Sequence, residues 1–453
     1  MKSLNKIFIA FFALLIFTCS FKLLAEKGIY QTGDFTKNRD SILAELKSVL
    51  EKEFTLWYPV SIDTIYGGFY SDLDYKWNLK GLQNKFLVTQ ARHVWSNANA
   101  ASFYKDKKSF IKVAAHGFKF LKEKMWDNKF GGFYDLMNSK AEVVLEDGKI
   151  IKRAYGNSFA IYGLAAFFKA SHDTAALNLA IKAFKWLDEH SYDPVNGGYF
   201  QFMNRDGKPF KTGYGKVPPK DQNSSIHILE SFTELYKVWP DETLKNRLNS
   251  LIKIIRDTIV ADKGFMRLFF DSSWNPISYR DSSQAVRSKN ISLDHISFGH
   301  DIEIAYLLIE ASEALGIKND LVTNRIAKKL VDHTIINGWD SVNGGIFDGG
   351  YYQKNESKIE IVLNTKEWWS QAEALNTLLI MSKLYPESKI NYYEKFCEQW
   401  NYIKKSVLDK ENGGWYFDGL DTSPQVKNFA KSSIWKCNYH TSRSLINCIR
   451  NIE

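Results

Sequence analysis

The sequence predicts an all-α fold, an (α/α)6 barrel of six helical hairpins with an inner ring of six helices inside an outer ring of six. Three observations predict it: an Asp-to-Gly-Gly turn repeated at near-constant spacing, a helical apolar period on both sides of each turn, and an alternation of two helix types.

The turn is read first. Full copies are Asp63-Thr-Ile-Tyr-Gly-Gly-Phe69, Asp127-Asn-Lys-Phe-Gly-Gly-Phe133, Asp193-Pro-Val-Asn-Gly-Gly-Tyr199, Asp340-Ser-Val-Asn-Gly-Gly-Ile346 and Asp409-Lys-Glu-Asn-Gly-Gly-Trp415, with a degenerate copy at Asp262-Lys-Gly-Phe265. The first glycines fall at 67, 131, 197, 264, 344 and 413, giving steps of 64, 66, 67, 80 and 69 residues. Glycine supplies the positive φ of a tight turn, and aspartate starts such turns through its side-chain acceptor.

The segments between turns are helical. Ile42, Leu46, Val49, Leu50 and Phe54 keep the helical period before the first turn, and Phe110, Val113, Ala114, Phe118, Leu121 and Met125 keep it before the second. The predicted helices are 39–57, 85–104, 109–125, 157–171, 175–190, 223–239, 241–259, 300–315, 320–336, 368–385, 390–407 and 440–452. Even-numbered members are apolar all round, whereas odd ones carry lysines and acids on one face, as outer helices do. An open superhelix of helix pairs is the alternative arrangement; six units favour closure.

The 453 residues carry a formal net charge of +9 and no basic block, so nucleic-acid binding is not indicated. Lys2 and Lys6 followed by the apolar run Ile7–Cys19 read as a secretory signal over residues 1–25, leaving a barrel domain over 30–453 and no membrane span in the mature chain. Periplasmic export is expected; Cys19, followed by Ser20, offers lipid attachment as a second route. The mature chain keeps Cys397, Cys437 and Cys448, an odd set without zinc-site spacing, expected to remain as thiols. The many aromatics, 13 Trp, 23 Tyr and 31 Phe, mainly fill core, although aromatics also line carbohydrate sites.

Polar residues collect at the starts of the even helices, where they ring one mouth: Gln90 and Arg92, Tyr155 and Asn157, Asn223 and His227, His300 and Glu303, Trp368 to Glu373, and Trp435 to Arg443. Three of the nine histidines thus converge. Each of His227, His300 and His440 has a charged residue three positions on, at Glu230, Glu303 and Arg443, the spacing at which a carboxylate can fix an imidazole's tautomer. His93, His116, His172, His190 and His333 read as surface or packing residues, and His295 as a residue behind His300. No metal cluster, phosphate-cradling loop or dinucleotide fingerprint is present, so no cofactor is expected.

Five segments, Gln90-Ala-Arg92 with Trp95, Asn223-Ser-Ser-Ile-His-Ile-Leu-Glu230, Phe298-Gly-His-Asp-Ile-Glu303, Trp368-Trp-Ser-Gln-Ala-Glu373 and Trp435-Lys-Cys-Asn-Tyr-His440 with Arg443, resemble the N-acylglucosamine 2-epimerase superfamily, and within it the cellobiose 2-epimerases. The resemblance implies an isomerase that inverts C2 of a reducing-end sugar, a β-linked disaccharide such as cellobiose or mannobiose, through an enediolate. It implies His300 and His440 as the acid/base pair, Arg92 as the oxyanion-steadying cation and His227 as a further catalytic histidine. It implies Asn223, Glu303, Trp368, Trp369, Glu373 and Trp435 as substrate-binding residues, to which the place of Tyr155 and Asn157 at the start of an inner helix adds those two. The chain departs from the pattern at Cys437-Asn438, where the relatives carry Gly-Pro, and at Thr441-Ser442, where they carry Asn-Gly. The expected partner is a small carbohydrate, and the expected state a monomer or weak homodimer. The competing readings are a monosaccharide (mannose or N-acetylglucosamine) isomerase or epimerase, a six-hairpin glycoside hydrolase using carboxylates such as Asp301, Glu303 and Glu373, and a non-catalytic glycan-binding barrel.

Overall fold

Each turn folds as its residues dictate. In the computed structural model, which describes residues 32–354 and 357–453, Gly67 and Gly68 take φ of +82° and +71° and the glycines of the other four full copies are likewise positive. The first carboxylate oxygen of the aspartate in each of the five full copies accepts two backbone N–H groups further along, as Asp63 does from Ile65 at 2.9 Å and Tyr66 at 3.0 Å.

The expected secretory segment, residues 1–25 with Cys19, lies outside the described residues. The chain divides into two units, one of residues up to Ser48 with Ile452 and one of Val49–Asn451 with Glu453. Residues 32–48 of the first are helical; the second holds the repeats and the site.

All twelve predicted helices are present: α1 (Thr32–Trp57), α2 (Leu87–Phe103), α3 (Lys108–Phe120), α4 (Ala154–Ser171), α5 (Thr174–Ser191), α6 (Gln222–Tyr236), α7 (Glu242–Ile254), α8 (Phe298–Ala314), α9 (Leu321–Asn337), α10 (Trp368–Leu384), α11 (Tyr392–Tyr402) and α12 (Tyr439–Ile452). Helices α3, α7 and α11 each continue through one π-turn into the next Asp turn. Two short helices, Gln284–Lys289 and Ile291–Asp294, occupy the one widened step between turns.

The even helices form the inner ring, and it closes. Trp95 of α2 stacks on Tyr162 of α4 at 5.1 Å, Phe159 of α4 meets His227 of α6 at 4.8 Å, and Gln222 of α6 reaches His300 of α8 at 3.4 Å. Thr377 of α10 donates to the Ile302 carbonyl of α8, Ser444 of α12 to the Ala372 carbonyl of α10, and Tyr439 of α12 packs edge-on against Trp95 at 5.2 Å. These contacts exclude the open superhelix. A Cβ on Gly163 would lie 2.7 Å from the Ala91 carbonyl oxygen, so only glycine permits this approach of α4 to α2.

Short antiparallel ladders lock four of the inner helices, α2, α4, α6 and α8, to the segment after the next turn: β1 (Lys85–Phe86) with β2 (Leu136–Met137), β3 (Ile151–Arg153) with β4 (Phe202–Asn204), β5 (Lys220–Asp221) with β6 (Phe269–Phe270), and β7 (Ile296–Ser297) with β8 (Gly349–Tyr352), which also pairs with β9 (Ile359–Leu363). They went unpredicted because most are two or three residues long, too short to show a period. Beside them runs a buried charge repeat: Lys85, Lys152, Lys220, Lys366 and Lys431 each hold the aspartate of a full turn, at 2.6, 3.2, 2.7, 2.7 and 2.5 Å. The degenerate turn has Ile296 where the lysine would stand.

The two rings begin differently. Outer helices α5, α7, α9 and α11 start on Asp173, Asp241, Asp320 and Asn391, whose side chains cap the first turn. None of α2, α4, α6, α8, α10 and α12 has a side-chain cap. Helices α6 and α10 nevertheless begin on the carboxylate residues Asp221 and Glu367 and α8 has Asp301 in its first turn, so the positive dipole ends without an acid at the cap or in the first turn are those of α2, α4 and α12.

Candidate active site

Ten of the twelve residues expected at the site line one cavity of about 300 Å3: Arg92, Tyr155, Asn223, His227, His300, Glu303, Trp368, Trp369, Trp435 and His440. Glu367 and Phe417 complete the wall. Both had been passed over, although Glu367 directly precedes Trp368. Asn157 and Glu373 are not on the wall. The amide of Asn157 is engaged in the fold, accepting from Phe133 N at 2.9 Å and donating to the Arg153 carbonyl at 2.9 Å. Gln90 and Gln371 do the same for Phe69 and Ile346, and Asp301 accepts from Met266 N at 2.8 Å, so these inner-helix polar groups pin turns rather than face the cavity.

Trp369 packs against both candidate imidazoles, its ring 4.8 Å from that of His300 and 5.7 Å from that of His440. Their supports differ from the expected spacing. Nδ1 of His300 lies 2.8 Å from the Ser297 hydroxyl, with the Gln222 amide at 3.4 Å, and Glu303 is not its partner. Nδ1 of His440 lies 2.6 Å from Glu373, a carboxylate delivered by the neighbouring helix α10. Only His227 takes the carboxylate three positions on, Glu230, at 2.9 Å. A carboxylate at Nδ1 fixes the N–H there and turns Nε2 outward as the free base.

Behind the imidazoles lies a cluster closed around Arg443. Its guanidinium donates to Glu230, to Glu303 and, at 2.7 Å, to Glu373, while Tyr306 donates to Glu373 at 3.0 Å and Tyr439 to Glu230 at 2.5 Å. Glu303 is drawn to this centre and away from His300. Three buried carboxylates outnumber one guanidinium, and the imbalance appears in their acidities. Burial and the neighbouring Glu373 push Glu303 up to about 7. Burial opposes ionisation of Glu230 too, but Arg443 and His227 outweigh it and hold that carboxyl at about 2. Glu303, like Glu373, whose carboxyl burial also raises, therefore takes up a proton more readily than Glu230.

Burial pushes His300 down to about 3, with His227, His295 and Arg92 adding to the effect. Burial likewise drives His440 well below its usual value, reinforced by Arg92 and Arg443. Both rings are neutral at physiological pH and available as bases. Arg92 lies over the rings of Phe159 at 4.4 Å and Tyr439 at 4.9 Å, and its guanidinium donates to the Tyr155 hydroxyl at 3.2 Å. Among the described residues no carboxylate reaches it within ion-pair distance, which leaves a cation facing the cavity. His295 does not line this cavity; its Nδ1 is held by the Ile291 carbonyl at 2.9 Å. Cys397, Cys437 and Cys448 are free thiols.

The model of the family described as N-acylglucosamine 2-epimerase matches residues 68–444. The chain belongs to that family. It is 28% identical over 413 residues to a cellobiose 2-epimerase of Bacteroides fragilis, covering 88% of this chain and 98% of the relative. A cellobiose 2-epimerase of Dictyoglomus turgidum is 29% identical over 394 residues, covering 85% and 92%. The structure of cellobiose 2-epimerase from Spirochaeta thermophila superposes with a TM-score of 0.77 at 27% identity, covering 92% of this chain and 98% of that one. With this membership the chain is a carbohydrate isomerase of (α/α)6 fold.

Proposed function

We propose that the protein inverts C2 of the reducing-end unit of a β-linked disaccharide such as cellobiose or mannobiose. The observation that carries this reading is the placement of two neutral imidazoles, His300 and His440, on one cavity, both in ring contact with Trp369, with Arg92, which has no carboxylate partner among the described residues, on the same wall.

The sugar ring opens to the aldehyde, which makes the proton on C2 acidic. One imidazole takes that proton at Nε2; the electron pair enters the C1–C2 bond, and the aldehyde oxygen becomes the enediolate oxyanion. Arg92, on the cavity wall, stabilises this charge where it develops. The other imidazole, carrying a proton drawn from solvent, delivers it to the opposite face of C2 and the aldehyde reforms. Two imidazoles that exchange the roles of base and acid suit a reversible reaction, and each holds its proton only transiently, because burial favours the neutral ring. His227 and Asn223 are hydroxyl-binding groups in this scheme, and Trp368, Trp369 and Trp435 are the walls against which the sugar packs.

A hydrolase requires a free acid and a free carboxylate flanking the bond. Of the acids on this wall, Glu303 is paired with Arg443 and Glu367 accepts the Trp369 indole N–H at 2.5 Å. Incubation with cellobiose, mannobiose, mannose and N-acetylglucosamine in deuterium oxide tests the reading: deuterium at C2 of a disaccharide supports it, and shorter sugars as the product oppose it. The basic start and apolar run of the first 25 residues support export to the periplasm, checked by fractionating cells that express the full chain.

A further inference from the structure

The fourth turn of the repeat leaves its cations unpaired. The five full copies bury a lysine against the turn aspartate, as Lys220 holds Asp193 at 2.7 Å, whereas the degenerate copy has Ile296 in the lysine's place and carries Lys263 within the turn itself. Between this turn, the chain after β6 and the residues leading into β7 opens a cavity of about 310 Å3, which shares no lining residue with the catalytic cavity. Lys263, Arg267 and Arg280 all line it.

Tyr352 gathers two of these charges, with Lys263 Nζ 3.8 Å and the Arg280 guanidinium 5.9 Å from its ring centre. Among the described residues no carboxylate lies within ion-pair distance of any of the three, and Nε of Arg280 is buried without a hydrogen-bond partner. Arg267 donates to a neutral acceptor, the Thr258 carbonyl, at 3.1 Å. Two acids stand on the same wall. Asp262 is exposed, and one oxygen of Asp294 accepts from Tyr279 N at 2.6 Å, the Tyr351 hydroxyl at 2.7 Å and the Ser278 hydroxyl at 3.1 Å. Like charges brought together without a counter-ion repel, so an anion entering here relieves a repulsion that the folded chain otherwise carries alone.

The donors define the class of anion. Two guanidinium groups offer forked N–H pairs and the lysine a point charge, a combination that binds the oxygens of a phosphate. Phe265, Leu268, Pro276 and Ile277 line the remainder, which suits a small apolar body attached to that phosphate. The volume falls at the lower end of the ~300–1,000 Å3 typical of small-molecule sites. We infer that this cavity is a binding site for a phosphate group, free or on a small organic ester.

Calorimetric titration of the full chain with inorganic phosphate, phenyl phosphate and benzoate tests the site. It is repeated on Lys263→Gln, on Arg280→Gln and on Lys107→Gln, which removes the same charge from an exposed position outside the cavity. One phosphate per chain should bind saturably, with affinity at least about tenfold lower in both cavity variants, equivalent to about 1.4 kcal/mol, and unchanged in Lys107→Gln. Lys263 is exposed, so its variant reads the site even if Arg280→Gln fails to fold. Phenyl phosphate binding more tightly than inorganic phosphate identifies an ester as the occupant, and equal affinities identify the free anion; either supports the site. Benzoate binding as tightly as phenyl phosphate, no saturable binding of either phosphate, or binding that both cavity variants leave unchanged overturns it. Neither sugar nor turnover enters the measurement, so a negative result leaves the epimerase reading untouched, and the reverse also holds.

Discussion

Glu373 of α10 sits 2.6 Å from Nδ1 of His440 on α12, so the carboxylate that orients this imidazole comes from the preceding unit of the barrel. The same carboxylate accepts from Arg443 at 2.7 Å and Tyr306 at 3.0 Å, which leaves it one geometry. Replacing it by glutamine keeps the shape but removes the charge that holds the N–H on Nδ1. Glu373→Gln should lower kcat by about 10²-fold with little change in KM, as expected for a group acting through the base. Steady-state kinetics on cellobiose measures it, and a change confined to KM would place Glu373 in binding.

Arg443 is the only cation in direct contact with Glu230, Glu303 and Glu373 among the described residues. Arg443→Met leaves three buried carboxylates without their counter-charge and should cost about 3–5 kcal/mol of stability. The loss should be smaller at pH 5.5 than at pH 8, because the released carboxylates can then take up protons. Urea denaturation at the two pH values checks both the size and the direction.

The barrel was legible in the sequence because its two determinants are local: glycine pairs that need positive φ, and a helical period between them. The site was legible as a set for a related reason, since inner-helix starts in a closed ring must face one mouth. Partners across the ring were not. Spacing of three residues identified His227 with Glu230, but paired His300 with Glu303, whose carboxyl is drawn instead to Arg443 on α12. The five buried lysines follow their aspartates by 22 to 27 residues, beyond any local pattern, and in a chain of 60 basic residues they look like surface. Asn157 shared the register of the site residues, yet its amide is held by Phe133 and Arg153.

Those lysines give a prediction about stability alone. Lys220 donates to Asp193 at 2.7 Å and to the Gly197 carbonyl at 2.9 Å, both across the turn. Lys220→Met should destabilise by about 3–5 kcal/mol, since Asp193 is left charged and buried. The double variant Lys220→Met/Asp193→Asn should recover part of the loss, because asparagine still accepts the turn N–H groups. A double variant no more stable than the single one would show that the ion pair is not what the lysine supplies.

His300 makes stability depend on pH in a defined sense. Its ring titrates near 6.5 when unfolded and is pushed down to about 3 by burial when folded. Below pH 6.5 the unfolded chain takes up a proton that the folded chain does not, so this contribution is complete above 6.5 and is lost as pH falls toward 3. His300→Asn should therefore lose less stability than the unaltered protein between pH 6.5 and 4, by up to about 1.4 kcal/mol per pH unit. Urea midpoints across that range measure the difference, and parallel curves would contradict the assignment.

His300 and His440 are the groups proposed to move the C2 proton. The most direct test of this is nuclear magnetic resonance of cellobiose incubated with the protein in deuterium oxide, alongside His300→Asn and His440→Asn variants confirmed as folded by circular dichroism. Deuterium is expected at C2 of the epimerised product with the unaltered protein and is expected to be absent with both variants. Epimerisation that retains the original C2 hydrogen, or undiminished exchange in either variant, would contradict this assignment.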